Sequence, residues 1–368
     1  MPASAVFYER RGDMKKFAVF SGFLGSGKTT VMITLTRYLN AQGIKSAMIS
    51  NDLGGPGLAD HRYAKLDGCN ASELTGTCIC YQTENLVSRL DQLFDDDGCS
   101  LVVSDIPGFC IGALDHVYHK LQKEYPGRFA LGPFTVLCEP ETLQRLSEHT
   151  DPDLCYILKM QLMEADLIVL NKCDLLSENQ LEEGIRQLRQ MNPQARVISV
   201  SAVTGVGLDS LSQALLSGKA SLRSPDLGYG GSAFSSAMGR ICEYNIQYHA
   251  LVCCNDFNGT AYLGDLAEGF RRELQKNHAE IPHMKLLAWT PQGDYGKVDL
   301  LGVSRPVMTA KALKGPCTEL AVILNASVFC DAKEMDCISE EVIDQVSSAY
   351  ELTVTVFRKE CFSVMGES

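Results

Sequence analysis

Short apolar runs alternate with amphipathic segments over the first 216 residues. Near-continuous apolar runs predict strands that are buried on both faces, as in a parallel sheet, and apolar residues three or four positions apart predict helices. The predicted strands span residues 17–20, 45–50, 101–104, 132–138, 167–170 and 197–200, and the predicted helices span 31–39, 84–94, 152–165, 177–191 and 209–216. This alternation predicts an α/β domain over residues 14–216, in which helices cover both faces of a parallel sheet.

Gly, Ser and Pro crowd the polar stretch that follows, which predicts a linker over residues 217–240. Beyond it the pattern predicts strands at 248–254, 284–289, 298–303, 319–329 and 352–359, and helices at 263–276 and 339–349. The order β-α-β-β-β-α-β predicts a smaller α+β domain over residues 241–362. We expect a ferredoxin-like arrangement, with the helices on one face of an antiparallel sheet.

A Gly-rich turn lies between the first predicted strand and the first predicted helix. Residues 22–29 match the phosphate-loop pattern G-x-x-x-x-G-K-[ST] in its strand-loop-helix context, which predicts a P-loop NTPase sheet. Backbone N–H groups at a helix N-terminus favour a bound phosphate. Lys28 should reach the β- and γ-phosphates, and the Thr29 hydroxyl should ligate Mg²⁺. The predicted nucleotide-binding residues of this loop are Gly22, Gly25, Ser26, Gly27, Lys28, Thr29 and Thr30.

The residues after the strand at 167–170 predict which base is bound. They read Asn171-Lys172-Cys173-Asp174, the N-K-x-D pattern of guanine sites. An Asp carboxylate accepts hydrogen bonds from the ring N–H and the exocyclic amine of guanine, and such a site rejects adenine because its polar groups would stay unpaired. Ser201 and Ala202 resemble the S-A loop whose backbone N–H meets the guanine oxygen. Asn171, Lys172, Asp174, Ser201 and Ala202 are therefore the predicted guanine-binding residues.

Between these two motifs, the strand at 101–104 is followed by a D-x-x-G sequence. Its Asp105 is placed to hold Mg²⁺ together with Thr29, and Gly108 to let the backbone contact the γ-phosphate. A turn residue at the end of a strand is the alternative for Asp105 considered alone. Its position between the other two motifs favours the magnesium role.

Composition and charge exclude several kinds of partner. The formal net charge of −12 is unfavourable for a nucleic-acid or anionic-membrane surface. No apolar run approaches the roughly 18 residues of a membrane span, and residues 1–16 are unlike a signal peptide. We predict a cytoplasmic protein whose 15 cysteines are mostly reduced.

A C-x-C pair, Cys78 and Cys80, lies between the phosphate loop and Asp105. In an extended segment both sulfurs would lie on the same side, because side chains alternate along a strand. Two thiolates can bind Zn²⁺, Co²⁺, Ni²⁺ or Cu(I), but they are too few for a closed site. Further ligands would have to come from Cys69, Asp52, a second protomer or a client protein. Two thiols in an apolar loop that bind no metal are the alternative.

Together these residues resemble the CobW/HypB/UreG family of GTPases, in its CobW-like branch. The resemblance covers residues 14–216 and rests on the loop 22–30, on Asn51-Asp52 followed by Gly54, on the C-x-C pair and on N-K-x-D. It implies a GTPase that couples GTP binding and hydrolysis to the loading or release of a transition metal, commonly zinc, cobalt or nickel. Tyr81 departs from the C-x-C-C pattern of this branch, and the His-rich tract of many members is missing from the sequence.

The family mechanism implies catalytic roles for Lys28, Asp52 and Asp105. Asp52 would orient the attacking water, with a side chain one carbon shorter than the Glu usual in the family. The γ-phosphate would order residues 51–57 and 105–108, and the C-x-C loop lies between these two segments in the sequence. The sequence offers no obvious arginine finger, so intrinsic turnover should be slow until a partner or a second protomer completes the site.

The sequence leaves two other functions open. Relatives in the wider group act as GTP-driven chaperones of cobalamin-dependent enzymes, and Tyr81 in place of cysteine favours such a role without bound metal. A nucleotide-binding regulator with negligible hydrolysis is the remaining alternative. The resemblance implies a client metalloenzyme or corrinoid protein as the partner, and it allows a homodimer.

Overall fold

The computed structural model describes residues 15–51, 59–66, 68–149, 151–252, 257–315 and 317–365, and these residues divide into two units. The first unit comprises the described residues up to 51 and from 68 to 230, and the second comprises residues 59–66 and the described residues from 231 onward. This division differs from the predicted boundaries at two places. Residues 59–66 group with the C-terminal half of the chain, and the predicted linker is divided, with residues 217–230 in the first unit and residues 231–240 in the second.

The first unit is built on a parallel sheet, as predicted. Its strands among the described residues are β1 (Lys16–Ser21), β2 (Ser46–Asn51), β3 (Ala71–Leu74), β4 (Leu101–Asp105), β5 (Ala130–Leu131), β6 (Thr135–Cys138), β7 (Leu167–Leu170) and β8 (Arg196–Ser199). They lie in the order β3-β2-β4-β1-β6-β7-β8, with β5 beside β1, and every pairing is parallel. The strands β1, β2, β4, β6 and β7 are buried along their whole length, which agrees with their apolar sequences.

Helices connect these strands, and their ends follow local sequence signals. Among the described residues before 218, the α-helices are α1 (Lys28–Ala41), α2 (Ala59–Leu66), α3 (Thr83–Asp91), α4 (Lys120–Glu124), α5 (Pro140–Glu148), α6 (Pro152–Glu164), α7 (Glu178–Met191) and α8 (Leu208–Ser217). Two π-helical segments adjoin them, Gln92–Asp96 after α3 and Leu114–His119 before α4. The side chain of Asp151 accepts the Leu154 N–H at the start of α6, and Ser177 and Gln180 form a capping box on α7. The pattern predicted α6 and α7 closely and did not predict α2, α4 and α5.

The second unit has the predicted α+β architecture. Its remaining elements are α9 (Ser232–Gly239), β9 (Ile241–Val252), α10 (Gly259–Lys276), β10 (Glu280–Trp289), β11 (Tyr295–Leu300), β12 (Met308–Lys311), β13 (Glu319–Phe329), α11 (Ala332–Ala349) and β14 (Leu352–Ser363). The antiparallel sheet has the order β12-β11-β10-β13-β9-β14. The strands β10, β13, β9 and β14, with α10 and α11 between them in the chain, form a ferredoxin-like core. The pair β11 and β12 extends that core by two strands.

Different helices cover the two faces of the second sheet. Apolar residues of α10 and α11, such as Phe270 and Ile338, share one core with the strands. The helix α2 contacts β10 and β13 and packs Tyr63 and Leu66 into a separate apolar cluster with strand residues. Asp60 of α2 accepts a hydrogen bond from the Lys285 ammonium at 2.6 Å. Residues 59–66 fell within the predicted first domain. The sequence pattern does not show contacts between residues more than 200 positions apart, so this grouping could not be predicted.

Burial of His283 on β10 makes the stability of the second unit depend on pH. Burial, and then the nearby Lys285, lower the pKa of His283 to about 4, although Asp299 and Asp60 favour the charged form. Its Nε2 lies 3.6 Å from Asp299 Oδ1. Because the folded pKa is below the unfolded value of about 6.5, the unfolded state binds more protons between these values. The contribution of neutral His283 to the free energy of unfolding is therefore complete above about pH 6.5 and is lost as the pH falls toward 4.

We expect His283→Asn to remove this dependence. Between pH 7 and pH 5 the wild type should lose about 2 kcal/mol of unfolding free energy relative to the variant, since each pKa unit corresponds to about 1.4 kcal/mol. Trp289 is the single tryptophan of the chain and lies on the same strand, so its fluorescence follows the unfolding of this unit in denaturant. A stability difference between the two proteins that stays constant from pH 7 to pH 5 would contradict the prediction.

Candidate functional site

The Gly-rich loop lies between β1 and α1, as predicted, and α1 begins at Lys28. Gly27 has a φ of 88°, and a Cβ at this position would lie 2.3 Å from Asn171 Nδ2. No side chain fits there, so the glycine allows the loop and the N-K-x-D segment to meet. Lys28 is 9% exposed, and its ammonium donates to the Gly22 carbonyl at 2.6 Å. The lysine is thus held inside the loop at the N-terminus of α1, where an anion is favoured.

The predicted magnesium ligands are Asp105, at the end of β4, and Thr29, in the first turn of α1. Phe20 of β1 pairs with Asp105 at the end of β4, so the D-x-x-G turn and the phosphate loop start side by side. Asp105 and Thr29 are both buried, and Asp105 Oδ1 accepts the backbone N–H of Asn51 at 2.8 Å. A carboxylate and a hydroxyl are the oxygen donors that Mg²⁺ prefers. The donor set at this edge of the sheet therefore fits the predicted ion.

Gly108 brings the D-x-x-G turn against the phosphate loop. A Cβ on Gly108 would lie 2.5 Å from the Leu24 side chain and 2.8 Å from the Leu24 backbone nitrogen. Leu24 is part of the phosphate loop, so the two segments touch directly. A larger residue at position 108 would push them apart.

Asn171 connects two segments that the sequence had assigned to different parts of the nucleotide. Its Nδ2 donates to the Ser26 carbonyl at 2.8 Å, and its Oδ1 accepts the Ala202 N–H at 3.4 Å. The side chain thus holds the phosphate loop and the S-A loop in place. Ser201 is buried, and its hydroxyl accepts the Thr204 N–H at 3.1 Å.

Asp174 lies in a short 3-10 helix, Cys173–Leu175, and Lys172 is the residue just before that helix. The Lys172 ammonium is hydrogen-bonded to Glu139, which follows β6, and burial raises the pKa of that carboxyl. Asp174 is exposed. Its carboxylate is therefore accessible to the guanine ring of an incoming nucleotide, which its predicted role requires.

Three sulfurs from two chain segments meet in the first unit. The Cys78 Sγ lies 3.1 Å from Cys80 Sγ and 3.8 Å from Cys110 Sγ. Cys78 and Cys80 are buried, and Cys110 is half-buried. The sequence prediction that an extended strand aligns Cys78 and Cys80 is wrong in its geometry: Cys78 caps a 3-10 helix, Ile79–Tyr81, and the turn of that helix brings the sulfurs together.

The three thiols differ in acidity. Hydrogen bonds with Cys110 and Cys80 hold the pKa of Cys78 well below its ordinary value. The same hydrogen bonds, together with burial, raise the pKa of Cys80 and of Cys110. Cys78 is therefore the most acidic of the three thiols. As spaced here, no group of three or more His, Cys, Asp and Glu side chains in the described part of the chain is arranged to hold a metal ion.

Asn51 connects the predicted magnesium ligand to the thiols, and sequence reasoning missed this role. Its backbone N–H donates to Asp105, while its side-chain Oδ1 accepts the Ile79 N–H at 2.8 Å. Its Nδ2 donates to the Leu74 and Thr77 carbonyls at 3.1 and 3.0 Å. One residue at the end of β2 thus contacts both Asp105 and the backbone on each side of Cys78.

Two buried polar residues of α6 hold the segment after Gly108. Gln161 Nε2 donates to the Gly108 and Cys110 carbonyls at 2.9 and 3.0 Å. Glu164 is 1% exposed and accepts the Gly112 N–H at 3.1 Å and also the Leu114 N–H. Burial raises the pKa of Glu164 to about 8. Two polar residues one turn apart, next to Met160, Leu162 and Met163, were the available sequence signal for this contact.

Tyr81 is directed away from the sulfurs. Its side chain is 67% exposed, and its hydroxyl lies 3.0 Å from the Tyr229 hydroxyl. The His116 ring packs against Tyr229 with a centroid distance of 5.1 Å. The residue that replaces a family cysteine thus contacts residue 229, near the end of the first unit. Asp52, the predicted water-orienting residue, lies outside the described residues, and its role stays a prediction.

The sheet, the phosphate loop and the order of the motifs along it define a P-loop GTPase fold. The CobW/HypB/UreG nucleotide-binding-domain model matches residues 16–199, half of the chain, so the protein belongs to this family, as the resemblance predicted. In the described segments, no helix is both long and apolar enough to cross a membrane.

Several known proteins resemble the chain more distantly. The uncharacterized protein MJ0120 of Methanocaldococcus jannaschii is 22% identical over 209 residues, which are 55% of this chain and 78% of that protein. The nickel complex of HypB from Helicobacter pylori has a TM-score of 0.41 at 17% identity and covers 60% of this chain and 97% of its own. Zn(II)-bound YjiA GTPase from E. coli has a TM-score of 0.36 at 16% identity, with 91% and 98% covered. At these scores the structural likenesses carry no functional argument.

Proposed function

We propose that this protein is a GTPase that uses its nucleotide state to control the binding and release of a transition metal at Cys78 and Cys80. GTP with Mg²⁺ would bind through Lys28, Thr29 and Asp105, and Asp174 would select guanine. The family membership and the phosphate-loop geometry support the nucleotide part. Zinc, cobalt and nickel are the candidate metals, and a client metalloenzyme is the candidate recipient.

The position of Asn51 is the observation that carries the metal part of the proposal. It bonds to Asp105 through its backbone and to the C-x-C loop through its side chain. A change at Asp105 when Mg²⁺ and the γ-phosphate are present can therefore reach Cys78 through one residue. A ligand changes an equilibrium only by its differential contacts with two states, so the GTP and GDP complexes would have to differ at Asp105 for the difference to reach Cys78 through these hydrogen bonds.

Metal titration in both nucleotide states tests this coupling. The reduced, metal-free protein competes with a chromophoric chelator for Zn²⁺ and for Co²⁺, in the presence of GDP or of a non-hydrolysable GTP analogue. We expect affinities that differ between the two nucleotides by about 5- to 150-fold, the usual range of coupling between sites. Replacing Cys78 and Cys80 by Ser should abolish the binding. Asn51→Ala should keep the binding and reduce the difference between nucleotides.

A second function is favoured by the spacing of the thiols. A sulfur pair 3.1 Å apart, with Tyr81 directed elsewhere, also fits a protein that carries no metal. Such a GTPase would act as a chaperone on a cobalamin- or corrinoid-dependent client through protein contacts, with the second unit as the recognition domain. The absence of stoichiometric metal in both nucleotide states of the titration would favour this function over the first.

A further inference from the structure

Cys110 lies at a distance from Cys78 that suits two ligands of one metal ion. Zn²⁺ binds thiolate sulfur at about 2.3 Å in a tetrahedral arrangement, which separates neighbouring sulfurs by about 3.8 Å. The Sγ atoms of Cys78 and Cys110 are 3.8 Å apart. Those of Cys78 and Cys80 are 3.1 Å apart and would have to separate by roughly 0.7 Å on binding. A small opening of the 3-10 turn would thus place Cys78 at a suitable distance from both of the other sulfurs.

The segment that carries Cys110 is fixed by contacts that do not involve the sulfur. The Gln161 side chain binds the carbonyl of Cys110 itself, and Glu164 binds the backbone two residues further on. Both of these α6 side chains are buried. Two buried polar side chains therefore hold the backbone of Cys110 beside the C-x-C pair. Three thiols that only pack in an apolar core would not need such hydrogen bonds.

We propose that Cys110 is the third thiolate of the metal site, which takes the place of the cysteine that Tyr81 replaces. The inference rests on the proposed metal-carrying function and specifies its ligands. Three thiolates select a borderline or soft ion such as Zn²⁺, and they leave a fourth position open for solvent or for a donor from the recipient. Cys110 lies two residues after Gly108 of the D-x-x-G turn. One ligand would then belong to the segment that contacts the γ-phosphate, and the other two to the loop held by Asn51.

Cobalt spectroscopy of matched variants tests the assignment. Co²⁺ serves as the probe because thiolate-to-metal charge transfer grows with the number of bound sulfurs, and Zn²⁺ affinity is measured by competition. We compare the wild type with Cys110→Ser and Cys110→Ala. The control is Cys361→Ser, since Cys361 is also half-buried and its Sγ lies 3.6 Å from Cys242 Sγ in the second unit. GDP affinity of each protein verifies that the first unit is folded.

The expected result is a charge-transfer band reduced by about a third and Zn²⁺ binding weakened on the order of 100-fold in both Cys110 variants. The loss of a whole ligand should cost at least as much as the ten- to hundredfold that an outer-shell contact costs. Cys361→Ser should match the wild type. Full charge transfer and unchanged Zn²⁺ affinity in folded Cys110 variants, with both lost in Cys78→Ser, would overturn the role of Cys110 and leave the metal carrier intact. Failure of the wild type to bind either ion would instead overturn the proposed carrier function, and the ligand assignment with it.

Discussion

Lys28→Ala is expected to abolish GTP binding, with the GTP affinity reduced at least roughly 100-fold. The ammonium lies in the phosphate loop at the N-terminus of α1 and is held there by the Gly22 carbonyl. A hydrogen bond between charged groups contributes about 1.5–3 kcal/mol, and this lysine should make two of them, to the β- and γ-phosphates. Fluorescence titration with a labelled guanine nucleotide measures the effect directly.

Lys45→Ala is the matched control for this variant. Lys45 is an exposed lysine of the same unit, just before β2, and it should leave the affinity unchanged. Thermal unfolding of both variants separates lost binding from lost folding. Tight GTP binding by a folded Lys28→Ala protein would refute the assignment of residues 22–29 as the phosphate loop.

The second large effect is expected in the recognition of the guanine base. Asp174→Asn should weaken GTP binding by about a thousandfold or more, because an amide donor would replace an acceptor that faces the two N–H donors of guanine. Sites built on such hydrogen bonds discriminate by about 10⁴–10⁵ against a base that leaves them unpaired. Xanthine carries a carbonyl where guanine carries the exocyclic amine. The variant should therefore prefer XTP to GTP, and ATP should bind weakly to both proteins.

Competition among the three nucleotides for a labelled analogue measures this preference. Asp209→Asn is a suitable control because Asp209 is an exposed carboxylate in the first turn of α8. It should keep the preference of the wild type. An Asp174→Asn protein that still selects GTP over XTP would show that Asp174 does not read the base, and the guanine assignment would then depend on the S-A loop alone.

Local sequence signals predicted where the phosphate loop lies in the fold. A phosphate loop is a continuous run of residues whose context, an apolar strand before and an amphipathic helix after, can be read from the sequence. The edge of a parallel sheet then brings Asp105 and the N-K-x-D segment to the same side without further information. The order of the other strands and helices in the second unit also followed from periodicity. The short strand β12 was missed because its four residues are mostly exposed and lack an apolar pattern.

The parts that could not be predicted depend on contacts between distant segments. Cys110 gave no signal of its own, because its relation to Cys78 exists only after β4 and β2 have paired with their neighbours in the sheet. Asn51 was recognised as part of a family motif, but its hydrogen bonds to the C-x-C loop span 23 to 28 residues. Gln161 and Glu164 are 50 or more residues from their partners. Side chains that support a site leave weaker traces in a sequence than residues that form it.

The position of α2 in the sequence affects folding during synthesis and the choice of fragments that can be expressed separately. It is made more than 200 residues before β10, the strand that its Asp60 binds. At 5–20 residues per second the ribosome needs roughly 10 to 45 s to supply that partner. During this time Tyr63 and Leu66 lack the strand residues with which they pack. The same interval means that no single cut separates the two units: a fragment ending at residue 230 keeps α2 but loses its sheet, and a fragment starting at residue 231 has the sheet without the helix.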